Sequence, residues 1–209
     1  MDLSLTVKFR GRDYRSPKRG LEAYRAYVED GYNQTVKQVK PDMVAHLTEV
    51  VELLIAKHSG GYPGGTTATT LSRRSGRSMD ALRKGIKVTG NRLDTMRATL
   101  NIPFPLAYHE YGYTKKAGGR LLTIPLPGAL SPNGVPLKPN ARAWKNTFVA
   151  TSRAGNLIIF QRRGNRIIPL YVLKDTVTVK PRLGAGAMLQ RAIPRFSERM
   201  ADEIARAFK

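Results

Sequence analysis

The stretch Thr147–Val179, TFVATSRAGNLIIFQRRGNRIIPLYVLKDTVTV, decides the fold class. Its three apolar runs, 147–151, 156–161 and 167–179, are rich in β-branched and aromatic residues, which suit a pleated, half-buried surface. The links between them, Ser152-Arg153-Ala154-Gly155 and Arg163-Gly164-Asn165, have the chemistry of tight hairpin turns. Strands joined so closely run antiparallel. The segment reads as a meander.

Upstream, the region from Met79 onward keeps a β signature. Ile86 and Val88 alternate with Lys87 and Thr89, and Gly90-Asn91 offers a turn before a second strand over about 92–100. Ile102–Gly112 suits one helical turn. Leu121–Leu126 suits a strand ended by Pro125 and Pro127, and 127–142 is a Pro- and Gly-rich loop.

Helical spacing takes over on both sides. Ser16-Pro17 opens a helix, since proline fits the first helical position. Leu21, Tyr24, Val28, Tyr32 and Val36 recur at threes and fours along it. Lys40-Pro41-Asp42 should end this helix near Val39 and start another, because an interior proline removes a backbone donor. The second, about 42–58, carries the stripe Met43, Val44, Leu47, Val50, Val51, Leu54 and Ile55. A closing helix has Leu189, Ile193, Phe196, Met200, Ile204 and Phe208, with Pro194 marking a kink or a later start. At the other end, residues 3–9 alternate as a strand and lead into a basic, irregular arm.

The expected architecture is therefore α+β, an antiparallel meander with two N-terminal helices and one C-terminal helix packed on it. A strand and basic arm over 1–16 precede a single domain over 17–209. Loops 59–78 and 127–142 are expected to be mobile, because Gly-, Ser- and Thr-rich segments bury too little surface to offset their ordering entropy.

The composition narrows the function classes. Among 209 residues, 36 Lys and Arg face 15 Asp and Glu, a net charge of +21. That balance favours a polyanionic partner: nucleic acid, a membrane surface or an acidic protein face. Cysteine is absent, which excludes disulfides, thiolate metal sites, iron–sulfur clusters and thiol catalysis. The N-terminus lacks the apolar core of a secretory signal, and no run approaches the ~20 apolar residues that span a bilayer. A soluble protein from a reducing compartment, without cofactor, metal or membrane association, is the expectation.

His109-Glu110 is the one adjacent His–carboxylate pair, and a hydrolase built on it is the weakest of three functional readings. His46 and Glu49 lack the spacing of a metalloprotease helix, and the Gly60–Gly65 tract lacks the Gly-Lys-Ser/Thr of a phosphate-binding loop. The basic residues speak louder. Lys8, Arg10, Arg12, Arg15, Lys18, Arg19 and Arg25 form one cluster. Arg73, Arg74, Arg77, Arg83, Lys84, Lys87, Arg92 and Arg97 form a second, and Arg153, Arg162, Arg163 and Arg166 a third at the hairpin tips. Cations at loose spacing give sequence-independent, salt-sensitive phosphate contact. No base-reading motif accompanies them. A stand-alone, nonspecific nucleic-acid-binding protein is thus one reading, and a charged assembly surface is another.

Three boxes favour assembly. Ser75-Gly76-Arg77-Ser78 with Leu82 and Ile86, then Ala107-Tyr108-His109-Glu110-Tyr111-Gly112 followed by Leu121–Leu126, then Pro169–Lys174 with Val177–Arg182, stand in this order. Together they resemble the tailed-phage tail-completion family, the minor tail protein Z-like and virion-morphogenesis proteins, over roughly residues 71–208. Pro181-Arg182 stands where the family has the reverse order, and the helical part before the boxes is longer.

The resemblance implies a structural subunit of the head–tail neck rather than an enzyme, assembled in the host cytoplasm and carried in the virion. It implies a homo-oligomeric ring of six copies around a DNA channel, with other neck, tail-terminator and head-connector proteins as partners. Arg10, Arg12, Arg15, Lys18, Arg19, Arg73, Arg74, Arg77, Arg153, Arg162 and Arg163 are then candidates to face DNA or a partner. His109, Glu110, Gly112 and Arg182 are candidates for the subunit interface, with Glu110 meeting an arginine of the next copy and Gly112 allowing close backbone approach.

Overall fold

The computed structural model describes residues 6–208. The chain is α+β and divides into two compact units. One comprises Met1–Glu49, Ile86–Leu100 and Gln190–Lys209; the other comprises Val50–Gly85 and Asn101–Leu189.

The first unit opens with a hairpin of β1 (Val7–Phe9) and β2 (Arg12–Tyr14), paired Val7 to Tyr14. Arg10 and Gly11 turn it with φ of 47° and 76°, the double positive φ of the tightest hairpin turns. The arm expected to be irregular therefore folds back as a strand. The first residues of the strand expected over 3–9 lie outside the described residues.

α1 (Pro17–Lys57) runs unbroken through Pro41, where two helices are expected. An interior proline costs about 3 kcal/mol, but the helix is buried on both sides of it, at Thr35 and Val39 before and at His46 and Leu47 after. Packing outweighs the lost hydrogen bond.

The first half of α1 also turns a different face inward. Gly20 and Gly31 are buried, and Thr35 beside them donates to the Gly31 carbonyl at 2.8 Å. A methyl group at Gly20 would lie 2.8 Å from Val7, and one at Gly31 would lie 2.6 Å from the Phe208 ring. Those two side chains fill the space the glycines leave. The first part of the expected inner stripe points outward instead, with Leu21 68%, Tyr24 51% and Val28 37% exposed, while Tyr32 and Val36 are half-buried.

A second hairpin, β3 (Ile86–Thr89) with β4 (Arg97–Leu100), belongs to the same unit. It matches the expected strand pair, with a longer turn in which the Leu93 amide donates to the Tyr32 hydroxyl at 3.4 Å. α4 (Ala185–Ala207) passes through Pro194 without a later start. Its part beyond Gln190 packs beside α1, where His46 Nε2 meets the Ala192 carbonyl at 3.1 Å and the His46 and Phe196 ring centres lie 5.2 Å apart.

In the second unit the end of α1 behaves as its periodicity predicts, with Val50, Val51 and Leu54 buried. α2 (Arg77–Lys84) is a correction, because this stretch falls at the start of the region expected to be β. It holds only Met79 and Leu82 as buried apolar residues, too few to show a period. Its charges suit a helix, with Asp80 in the first turn and Arg83 and Lys84 in the last.

α3 (Ala107–Tyr111) is the expected single turn. β5 (Tyr113–Lys116) was not anticipated; it is exposed throughout and pairs with β10 (Thr176–Val179). The main sheet orders β6 (Leu122–Pro125), β9 (Arg166–Lys174), β8 (Leu157–Arg163) and β7 (Thr147–Thr151). The meander is antiparallel as expected, with β6 added on the far edge of β9. Opposite Ile159 and Phe160 the register slips by one, because Pro169 has no amide to give. Leu170 becomes the extra residue, fully buried with Tyr171 and Ala129 as a core. Its carbonyl accepts the Leu126 amide at 2.8 Å.

Candidate functional site

The segment between α1 and α2 is tied down at several points. Leu71 is buried, and its amide donates to His58 Nδ1 at 3.1 Å. The Arg73 amide donates to the Gly60 carbonyl at 2.7 Å. Thr66 and Ser72 hydrogen-bond through their hydroxyls, and Thr67 caps the small turn to Thr70 at 3.1 Å. The 127–142 loop meets this segment: Arg74 donates to the Gly134 carbonyl at 3.1 Å while its guanidinium lies 4.9 Å from the Tyr62 ring centre.

Those ties place Arg73 and Arg74 at a cavity of about 450 Å³ within the second unit. Ser75, Gly76 and Ser78 of the α2 entrance line it, as do His109 of α3 and Arg182 just before α4. Among the described residues no carboxylate does. His109 Nδ1 and Arg182 Nε are buried without a hydrogen-bond partner among the described residues. Burial, then the charge of Arg182, then His58 hold the His109 imidazole below the ordinary histidine range. A border of arginines with the buried Arg182 Nε–H unmet and no lining acid among the described residues attracts oxyanions.

Glu110 faces elsewhere. Its Oε2 accepts the Ala185 amide at 2.8 Å and its Oε1 the Gly186 amide at 2.9 Å. These are first-turn amides of α4, which have no acceptor within the helix. The His109 carbonyl accepts the Arg182 and Leu183 amides at 2.6 and 2.7 Å, so α3 and the α4 entrance are laced together. Gly112 has φ 77°, and a methyl group there would sit 3.2 Å from Pro181. The glycine permits close backbone approach, here within the chain. Both Glu110 oxygens serve as a helix cap.

Of the sequence candidates, Arg73, Arg74, His109 and Arg182 meet at one cavity, and Arg77 begins the adjoining helix. The others stand apart. Arg10, Arg12, Arg15, Lys18 and Arg19 are exposed in the first unit, with the Arg10 guanidinium 4.8 Å from the Tyr27 ring centre. Arg153 sits in the β7–β8 turn, whereas Arg162 and Arg163 end β8. Those three form no common cluster, being separated by the length of β8, roughly 20 Å. His58 was not singled out by its sequence context. It is fully buried between Leu71 and Leu183, and no local pattern signals that role.

Among the described residues no group of three His, Asp or Glu side chains could hold a metal ion, and no helix is long and apolar enough to cross a membrane. No family model, curated protein or solved structure matches this chain.

Proposed function

We propose that this chain is a structural subunit of a tailed-phage neck, completing the tail and joining it to the head as a homo-oligomeric ring around the DNA channel. The observation that carries the reading is the outward stripe of Leu21, Tyr24 and Val28 on α1, at spacing i, i+3, i+7. The first turns of α1, which seat Gly20 inward and leave Leu21 and Val28 exposed, present a face suited to another surface. The occupant is a second copy, since ring subunits offer one such patch each to a neighbour.

The three sequence boxes add support. Ser75, Gly76 and Ser78 of the first box, His109 of the second and Arg182 of the third line one cavity, and Glu110 of the second box caps the helix that follows the third. Residues that carry the family likeness are thus used together to build one structural joint. Exposed Arg12, Arg15, Lys18 and Arg19 supply cations for DNA in transit or for an acidic partner face.

Sedimentation and electron microscopy of the purified chain, alone and mixed with tail tubes, test this. Rings or tube-end caps are expected, and the double variant Leu21→Glu/Val28→Glu should be monomeric. A wild-type chain that stays monomeric at all concentrations and never decorates tubes overturns the proposal. If that monomer also binds DNA with a steep salt dependence, nonspecific nucleic-acid binding replaces it.

A further inference from the structure

We propose that the cavity bounded by Arg73, Arg74, His109 and Arg182 is a binding site for a phosphate monoester. This goes beyond the neck reading and does not depend on it.

Charge and shape both lead there. Arg73, Arg74, Arg182 and His109 border the cavity, and among the described residues no carboxylate lines it. Buried polar atoms are nearly always paired in folded proteins, yet Arg182 Nε and His109 Nδ1 are buried and have no hydrogen-bond partner among the described residues. The nearest acid along the chain, Glu110, is committed to the α4 amides. Cations gathered without a counter-charge repel one another, and an oxyanion relieves that repulsion. Guanidinium forks match phosphoryl oxygens in two-point hydrogen bonds.

The arginines are positioned rather than merely present. The Arg73 backbone is bound to Gly60 at 2.7 Å, and its guanidinium lies 3.6 Å from the place a Gly76 Cβ would occupy. A Cβ at residue 76 would lie in ordinary contact with that group. Arg74 is held by the Gly134 carbonyl and stacked on Tyr62. The hydroxyls of Ser75 and Ser78 complete the polar border.

The size and the rest of the lining select an ester over free phosphate. About 450 Å³ falls among small-ligand sites of roughly 300–1,000 Å³ and exceeds what a lone phosphate fills. Leu71 and Leu106 provide an apolar part of the wall, which an ester's organic group can cover. Phosphoryl oxygens face the cations; the organic group faces the leucines.

Calorimetric titration of the full-length protein at fixed ionic strength tests the site, with inorganic phosphate and a nucleoside monophosphate as probes. The histidine imidazole NMR resonances are followed in parallel. Saturable binding that shifts the His109 resonance is expected, with the nucleotide at least tenfold tighter. Equal affinity for the two probes overturns the ester assignment and leaves a free-phosphate site. Arg73→Ala/Arg74→Ala, with its circular dichroism spectrum and unfolding midpoint checked against wild type, should weaken binding tenfold or more. Arg182→Gln should do the same, while Arg162→Ala, distant in the sheet, should change nothing. No saturable shift, unchanged affinity in the double variant, or an equal loss in Arg162→Ala overturns the proposal.

Discussion

The Glu110 carboxylate accepts the Ala185 amide at 2.8 Å across a sequence separation of 75 residues. With the Gly186 amide on its other oxygen, it caps α4 from a different element. Such a cap satisfies two orphan donors and places negative charge at the positive end of the helix dipole. Glu110→Ala should cost about 1–2 kcal/mol in urea unfolding, and Glu110→Gln, which keeps an acceptor but not the charge, less than half of that. Equal losses in the two variants would show that the charge, and not the retained acceptor, carries the cap, whereas a Glu110→Gln variant as stable as wild type would show that the charge contributes nothing.

Gly31 and Phe208 form a second dependence on absence. A methyl group on Gly31 meets the Phe208 ring at 2.6 Å, and the Tyr27 hydroxyl hydrogen-bonds to the Phe208 carbonyl. Gly31→Ala therefore gains helix propensity, about 1 kcal/mol, but must displace the chain end. Overpacking of this kind costs about 1–3 kcal/mol. The net effect expected is destabilisation with faster amide exchange in the last turn of α4. A stabilised Gly31→Ala variant with unchanged exchange would mean that Phe208 moves aside freely.

Pro41 makes the opposite case. It is exposed within a continuous helix, so Pro41→Ala restores a donor to the Lys37 carbonyl and removes the ring clash with the preceding turn. Stability should rise by about 1–3 kcal/mol in thermal or urea unfolding. A loss would indicate that the proline sets a bend on which the packing of Val39 and His46 relies.

These residues also explain how far the sequence could be read. β8 and β9 were visible because Leu157–Phe160 and Ile167–Val172 admit little but strand. The second half of α1 was visible because Val50, Val51 and Leu54 do face inward. Its first half misleads, since periodicity presumes that large apolar residues turn inward. Here Gly20 and Gly31 do, because Val7 and Phe208 come from far along the chain to fill the gap. α2 escapes notice with two apolar residues in a single pair of turns. The cavity is hidden for a further reason. Arg73, His109 and Arg182 lie in three separate segments, and the loop hydrogen bonds, the β5–β10 pairing and the Glu110 cap bring them together.

The last prediction concerns acid. His58 accepts the Leu71 amide on Nδ1 at 3.1 Å and directs Nε2 at the Leu183 carbonyl, 3.0 Å away. It is therefore neutral, with its proton on Nε2. Burial holds it below the ordinary histidine range; the Leu183 carbonyl opposes this, and the charge of neighbouring Lys57 adds to it. His109 is lowered in the same direction, by burial first, then by Arg182 and His58. Arg73 and Arg74 share its cavity, and Glu110 adjoins it in the chain. In the unfolded chain both imidazoles titrate near 6.5. Below that pH the unfolded state takes up protons that the folded state refuses, so stability falls. The histidine contribution is whole above about pH 6.5 and is lost as the pH drops towards the lowered folded values. The slope expected is up to about 1.4 kcal/mol per pH unit for each histidine. Urea unfolding between pH 5 and 7.5 measures it. His58→Gln, which keeps one donor and one acceptor, should remove one proton from the slope. A wild-type stability that is flat over this range, or a slope that His58→Gln leaves intact, would place the acid sensitivity outside the histidines.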